Sequence, residues 1–199
     1  MTKKYIFLFL FSLLMTAGGL ASMPPLDRDE PRFVQATKQM AETGNYVDIR
    51  FQDTTRYQKP IGIYWLQSAA LIVSGKGADA PIWVYRTISA LAIAIAVVAT
   101  AWIGASLFGA NAGIAAGLIV AAIFATAFEG RDAKTDAALL ACCVLAQGAL
   151  ARIYLASRRS EPVAGYLPWL FWAAQGAAIL IKGPIAPLLS ALTVLALFA

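Results

Sequence analysis

The chain has 199 residues, 60% of them hydrophobic and only 14% charged, with no histidine and a net charge of +5. A soluble domain is nearer half apolar and a quarter charged, so this balance points to a membrane protein. Without histidine there is no His-based triad, no HExxH zinc site and no imidazole base. The basic residues are scattered rather than gathered with aromatics, which leaves nucleic acid out as a partner.

A helix needs roughly 17 to 25 apolar residues to cross a bilayer. The first such run extends from about Tyr5 to Ser22. Lys3 and Lys4, the stretch Ile6 to Met15 and the small residues before Met23 also fit a signal peptide. The further spans downstream favour a retained helix, and both readings deliver the next segment to the same side.

That segment, residues 23–81, is too aromatic for a linker, with Phe33, Tyr46, Phe51, Tyr57, Tyr64 and Trp65 among balanced charges. Its first half reads as a helix: Asp29 and Glu30 at the cap, Pro31 at the first helical position, apolar Phe33, Val34, Met40 and Ala41, and Gly44 as the stop. Asn45 to Lys59 reads as irregular or briefly extended. A second helix opens at Pro60, carries an apolar face from Ile61 to Val73 and closes at Gly75. Both helices are expected to lie in the plane of the interface.

Four further spans are expected, at about Trp83 to Phe108, Ala112 to Phe128, Thr135 to Ala156 and Tyr166 to Ile181, none visibly broken near its middle. An apolar stretch then runs from Ile185 to Ala199, where the sequence stops inside the run, as an N-terminal piece of a larger protein would. The two cysteines, Cys142 and Cys143, are adjacent inside the fourth span and offer neither a disulfide framework nor a CxxC site. The expected fold is an all-α integral membrane protein of about six transmembrane helices, the last truncated. Residues 1–22 are the first helix, 23–81 the outer loop and 82–199 helices two to six. Lys3 and Lys4 at one end, and Arg152, Arg158 and Arg159 between the fourth and fifth spans, set the cytoplasmic side. The long loop, the Glu129 to Lys134 turn and the Lys182 to Pro184 turn then face outside together.

Those outer segments hold nearly all the remaining charge. Asp27, Arg28, Asp29, Glu30 and Arg32 crowd the exit of the first span, where a solvated, charged helix cap is the plain alternative to a site. Asp136 lies just inside an apolar run, where a charge costs roughly 2.5 to 3.5 kcal/mol and requires a partner. Arg131, Lys134 or Lys182 can supply it, and an ion pair joining two spans is the simple reading. Lys182 can also snorkel at a helix end, and Lys59, just before Pro60, can contact a lipid headgroup. Taken together, these groups make an outward cluster of at least two carboxylates and two ammoniums. A carboxylate can accept a proton from an acceptor or support positive charge on a sugar ring, and a Lys can neutralise a departing phosphate. No GxGxxG or GxxxxGK[ST] anchors a nucleotide. A transporter or channel component is the alternative, but its charges should run along the spans rather than gather at one face.

The order Leu26-Asp27-Arg28-Asp29-Glu30-Pro31-Arg32, Gly44-Asn45-Tyr46, Arg56-Tyr57-Gln58-Lys59-Pro60-Ile61, Tyr64-Trp65, Thr135-Asp136 and Lys182-Gly183 resembles the lipid-linked sugar transferases of the GT-C type. The nearest groups are the bacterial aminoarabinose transferases of lipid A and the protein O-mannosyltransferases, and the likeness covers about Pro24 to Leu189. It implies inverting transfer from a polyprenyl-phosphate sugar to a lipid or protein acceptor, on the periplasmic face of a bacterial inner membrane, without a nucleotide sugar. On this likeness the catalytic carboxylates fall on Asp29 and Asp136 and the donor-phosphate lysines on Lys59 and Lys182, with Glu30, Arg56 and Tyr57 lining the same pocket. No cofactor is implied. The reaction class admits a divalent metal, but this sequence does not indicate one. Aminoarabinose relatives carry Glu before the Lys-Pro pair where this chain has Gln58, which weakens the case for that sugar and for a metal contact there. Family members are more than twice as long, so the chain alone is expected to be inactive.

Overall fold

The computed structural model describes residues 2–25 and 28–198. Leu26 and Asp27, part of the motif and charge cluster expected at the loop entrance, lie outside the described residues. Nine α-helices and one two-stranded pairing are described: α1 Thr2–Ala17, α2 Asp29–Thr43, β1 Arg50–Phe51, β2 Thr54–Thr55, α3 Gly62–Ser74, α4 Ile82–Phe108, α5 Ala110–Ala122, α6 Phe124–Glu129, α7 Asp136–Arg158, α8 Tyr166–Lys182 and α9 Ile185–Phe198. A short 3-10 turn, Gly77–Asp79, precedes α4.

The long loop between α1 and α4 folds as its pattern dictates. In α2 the buried residues Phe33, Ala36, Thr37 and Met40 recur every three or four positions, so one face packs inward. In α3 the inner face is Ile63, Tyr64, Gln67 and Leu71, while Trp65, Ile72 and Val73 remain exposed. A helix apolar on both faces suits an element held between protein and lipid. Both helices stop at a left-handed glycine, Gly44 and Gly75. Between them Asn45 caps a turn by accepting from the Val47 and Asp48 amides, and Arg50 pairs with Thr55 across a tight hairpin. The indole of Trp65 donates to the Tyr46 carbonyl at 2.7 Å and pins this excursion onto α3.

Helices α4 and α7 are long and apolar enough to cross a membrane by length and composition, while α5 and α9 are shorter apolar helices. One continuous core joins Leu8 of α1, Phe33 and Met40 of α2, Ile63 and Tyr64 of α3, Ile93 and Val97 of α4, Ala137 and Ala141 of α7 and Ile181 of α8. Helices α4 and α5, joined only by Gly109, double back at very close range. A Cβ on Gly113 would stand 2.4 Å from the Ala101 carbonyl, and its neighbour Gly117 packs on Ala101 and Leu8. Small residues let backbones approach where lipid offers no hydrophobic drive. Large apolar side chains such as Phe7, Leu10, Leu14, Phe108, Phe124, Trp169, Trp172 and Leu195 are left on the outside.

Two expected spans are corrected. The first helix ends at Ala17, not Ser22, because Gly18 and Gly19 start a turn that runs to Ser22. The run expected to be continuous from Ala112 to Phe128 is broken: Ile123 is extended (ψ 127°) and separates α5 from α6. The break withdraws amide partners from the end of α5, and the Thr126 hydroxyl, within reach of both the Val120 and Ile123 carbonyls, makes up part of the loss. Replacing Gly113 with Val should force α4 and α5 apart and destabilise the chain by about 1 to 3 kcal/mol. Thermal unfolding in detergent is the measurement, and an unchanged midpoint would contradict the close contact.

Candidate active site

Arg86, one turn into α4, is completely buried. Its guanidinium forms a two-pronged pair with Glu30, Nε to Oε1 at 2.6 Å and Nη2 to Oε2 at 2.8 Å. Its remaining nitrogen, Nη1, donates to the Leu20 and Met23 carbonyls in the chain leaving α1. Glu30 is itself 2% exposed, and its Oε1 also accepts from the Ala133 amide at 2.9 Å. The other side of the same residue is held too: the buried Gln67 of α3 donates to the Ala133 carbonyl at 3.0 Å and accepts from Thr37 of α2 at 2.7 Å. Ala133 is thus gripped at both its amide and its carbonyl by two different helices. Just before it, Arg131 reaches across to the Met15 and Thr16 carbonyls and closes the end of α1.

This grip fixes the approach to α7, whose first residue is Asp136. Lys182, the last residue of α8, forms an ion pair with the Asp136 carboxylate. Each charge stands at the helix end its sign favours, an acid at an N-terminus and a base at a C-terminus. The pair is not sealed off, for the Asp136 side chain is 45% exposed and that of Lys182 24%. An ammonium has three donors, and one partner leaves others for an incoming anion. Lys134 and Asp132 form a second pair beside it at 2.5 Å.

Helix α3 delivers the third charged segment. Gly62, at its start, lies so close to the end of α8 that a Cβ there would meet the Leu180 carbonyl at 2.6 Å. Lys59, three residues earlier, is half-buried and has no ion pair or hydrogen bond among the described residues. Arg56 is buried over the Phe33 ring, 5.6 Å from its centroid, and donates to Gln58. Burial pushes the Tyr64 phenol up, with the adjacent Arg56 guanidinium pulling the other way. Asp29 sits exposed in the first turn of α2, 3.6 Å from Arg32, next in sequence to the buried Glu30.

The ends of α2, α3, α7 and α8 therefore meet, bringing the segments of Asp29, Arg56, Lys59, Asp136 and Lys182 to one end of the bundle. Two residues expected there have other surroundings. The Glu30 carboxylate is engaged by Arg86 and Ala133, which gives it a holding task inside the protein. The exposed Tyr57 donates from its hydroxyl to Asp48 at 2.5 Å, on the hairpin side, while neighbouring Arg56 turns inward. Arg86 and Gln67 are absent from the sequence-based set. Arg86 carried a usable signal, because a guanidinium in an apolar helix needs a partner as much as Asp136 does. Gln67 carried none, since a single amide on an amphipathic helix is unremarkable.

Removing the buried base alone, as in Arg86→Met, should destabilise the chain by about 3 to 5 kcal/mol by leaving Glu30 charged and unmatched. Replacing the pair together, Glu30→Leu with Arg86→Met, should recover much of that loss; thermal unfolding of both variants is the check. At the hairpin, hydrogen bonds from Tyr57 and then Arg50 hold the Asp48 carboxyl below its ordinary value of 3.8. A lowered carboxylate contributes its support above pH 3.8 and loses it as pH falls through the lowered value. Tyr57→Phe should move the Asp48 titration back up toward 3.8, read by carboxyl NMR; an unmoved titration would refute the contact.

The family model described as dolichyl-phosphate-mannose-protein mannosyltransferase matches residues 58–199. Among solved structures, the chain is similar to ArnT from Cupriavidus metallidurans in the apo state, at 22% identity and a TM-score of 0.80, over 98% of this chain and 36% of that one. It is also similar to ArnT from the same organism bound to undecaprenyl phosphate, at 20% identity and a TM-score of 0.81, over 96% of this chain and 34% of that one. The chain thus spans about a third of the length of this solved relative, and the likeness establishes a shared fold. A comparison with curated proteins gives no match.

Proposed function

The chain belongs to the dolichyl-phosphate-mannose-protein mannosyltransferase family, of the GT-C glycosyltransferases, and from that premise we propose that it forms the donor-side part of a membrane enzyme that transfers a sugar from a polyprenyl phosphate. The observation that carries this reading is the partly exposed Asp136–Lys182 pair, set where α7 begins and α8 ends, with Lys59 three residues before α3 and Asp29 at the start of α2.

In the proposed reaction Lys59 and Lys182 hold the donor phosphate and neutralise it as it leaves. An acceptor hydroxyl or amine attacks the anomeric carbon from the opposite face. The new acceptor–carbon bond forms, the carbon–oxygen bond to phosphate breaks, and the configuration inverts. Asp29 takes the proton released by the acceptor, and Asp136 keeps Lys182 charged and aimed. Arg56 stiffens the segment that carries Lys59. Tyr57 serves from the rim, and Glu30 holds the backbone beneath. The donor's own phosphate leaving group drives the step, so no nucleotide is required.

Six membrane crossings complete the arrangement, with α1 as the first, 23–81 as an outer loop on the periplasmic face of a bacterial inner membrane, and 82–199 as the rest. The acceptor, a lipid of the lipid A kind or a protein, engages segments beyond this third of the fold. The chain alone should therefore bind donor without turning it over. In a protein extended to the relatives' length, Asp29→Asn should keep donor binding and lower transfer by about a hundredfold or more. Lys59→Ala should weaken binding of a polyprenyl phosphate by about tenfold. Both are read by binding to donor-loaded vesicles and by a radiolabelled-sugar transfer assay. Transfer at a near-normal rate in Asp29→Asn would remove Asp29 from the chemistry.

A further inference from the structure

The other end of the bundle carries a second arrangement of charge and apolar space, about 33 Å away by the rise of α7 from Asp136 to Arg158. There Arg152 and Arg159 of the α7 end, Ser106 of α4, and Glu161 line an open polar recess of about 300 Å³. Neither arginine has an ion pair among the described residues. Arg152 instead lies over the Trp102 ring, 4.8 Å from its centroid. That tryptophan also lines a second groove of about 310 Å³, with Phe9 of α1, Val98 of α4, Leu145 of α7 and Leu170 of α8. That groove is almost wholly apolar, while the recess is polar.

We propose that these two spaces form one site for an anionic phospholipid of the surrounding leaflet, its phosphate between Arg152 and Arg159 and one acyl chain along Trp102. The charge argument selects the ligand. Two unpaired guanidiniums against one carboxylate make a recess that favours an anion, and guanidinium matches phosphate oxygens in a forked geometry. The groove is of the size and character of a small apolar pocket lined by four helices, where a water-soluble phosphate has nothing to contribute. Trp102 links the halves, with a cation on it in the recess and lipid-facing space along it in the groove. The site is independent of the sugar chemistry proposed at the opposite end and needs only that the helices lie in a membrane.

The test uses the purified chain in phosphatidylcholine vesicles containing either phosphatidylglycerol or phosphatidylcholine with dibrominated acyl chains, and follows quenching of tryptophan fluorescence. The part lost in Trp102→Phe isolates the local signal. Quenching of that part should saturate at about tenfold lower mole fraction for brominated phosphatidylglycerol than for brominated phosphatidylcholine, as two basic contacts to an anionic headgroup imply. Arg152→Ala with Arg159→Ala should abolish the preference. Arg158→Ala, which removes a charge next door but outside the recess, should keep it and also reports whether the fold survives alteration of this end. Equal quenching by the two lipids would overturn the proposal, as would a preference that persists in the double variant. Soluble glycerol phosphate should fail to relieve the quenching; relief would assign the recess to free phosphate and overturn the lipid.

Discussion

The structure rests on an acid and a base buried together in its interior. Glu30 comes from the first helix of the loop and Arg86 from the helix that follows the loop, and the cost of withdrawing both charges is offset by their two-pronged contact and by the bonds each makes to backbone. Arg86 ties the exit of α1 through two carbonyls, and Glu30 ties the approach to α7 through the Ala133 amide. One pair therefore joins four separate stretches of chain. Gln67 doubles the hold on Ala133 from the opposite side, so the turn before α7 has little freedom left.

This arrangement separates holding from reacting. The pair that holds is sealed, while the pair proposed to react, Asp136 with Lys182, stays partly open to what lies outside. The difference follows from depth. Where side chains are enclosed an unmatched charge is costly and must be locked, whereas at exposed helix ends dipoles and solvent support a charge that can exchange partners. Neighbouring residues show the contrast: Glu30 is buried and engaged, and Asp29, one position earlier, is exposed at the start of the same helix. Arg56 and Tyr57 divide in the same way, inward to Phe33 and outward to Asp48.

The two ends of the bundle differ in kind. At one, Asp136 of α7 pairs with Lys182 of α8 near the start of α2, where Asp29 pairs with Arg32. At the other, the charge is mainly arginine beside a groove of aromatic and aliphatic side chains. Between them the helices are packed through small residues, with Gly113 and Gly117 seated on Ala101 and Gly148 on Ile103 and Trp102. Such contacts are stiff, and they fix the direction in which each helix end points.

By itself the sequence determined what depends on local chemistry: the all-helical class, the two helices of the long loop with their glycine stops, and the pairing requirement of Asp136, because hydropathy and capping act over a few residues. The motif order also gave the family, which the match over residues 58–199 bears out. Tertiary structure decided what depends on residues far apart. Lys182, rather than Arg131 or Lys134, is the partner recorded for Asp136, since those two are engaged with α1 and Asp132. The break at Ile123 is invisible in a run of uniform hydropathy, because it is a change of backbone geometry, compensated by a threonine side chain, rather than a change of composition. Arg86 and Gln67 act through partners tens of residues away, and only the packing of helices brings such groups within hydrogen-bonding range.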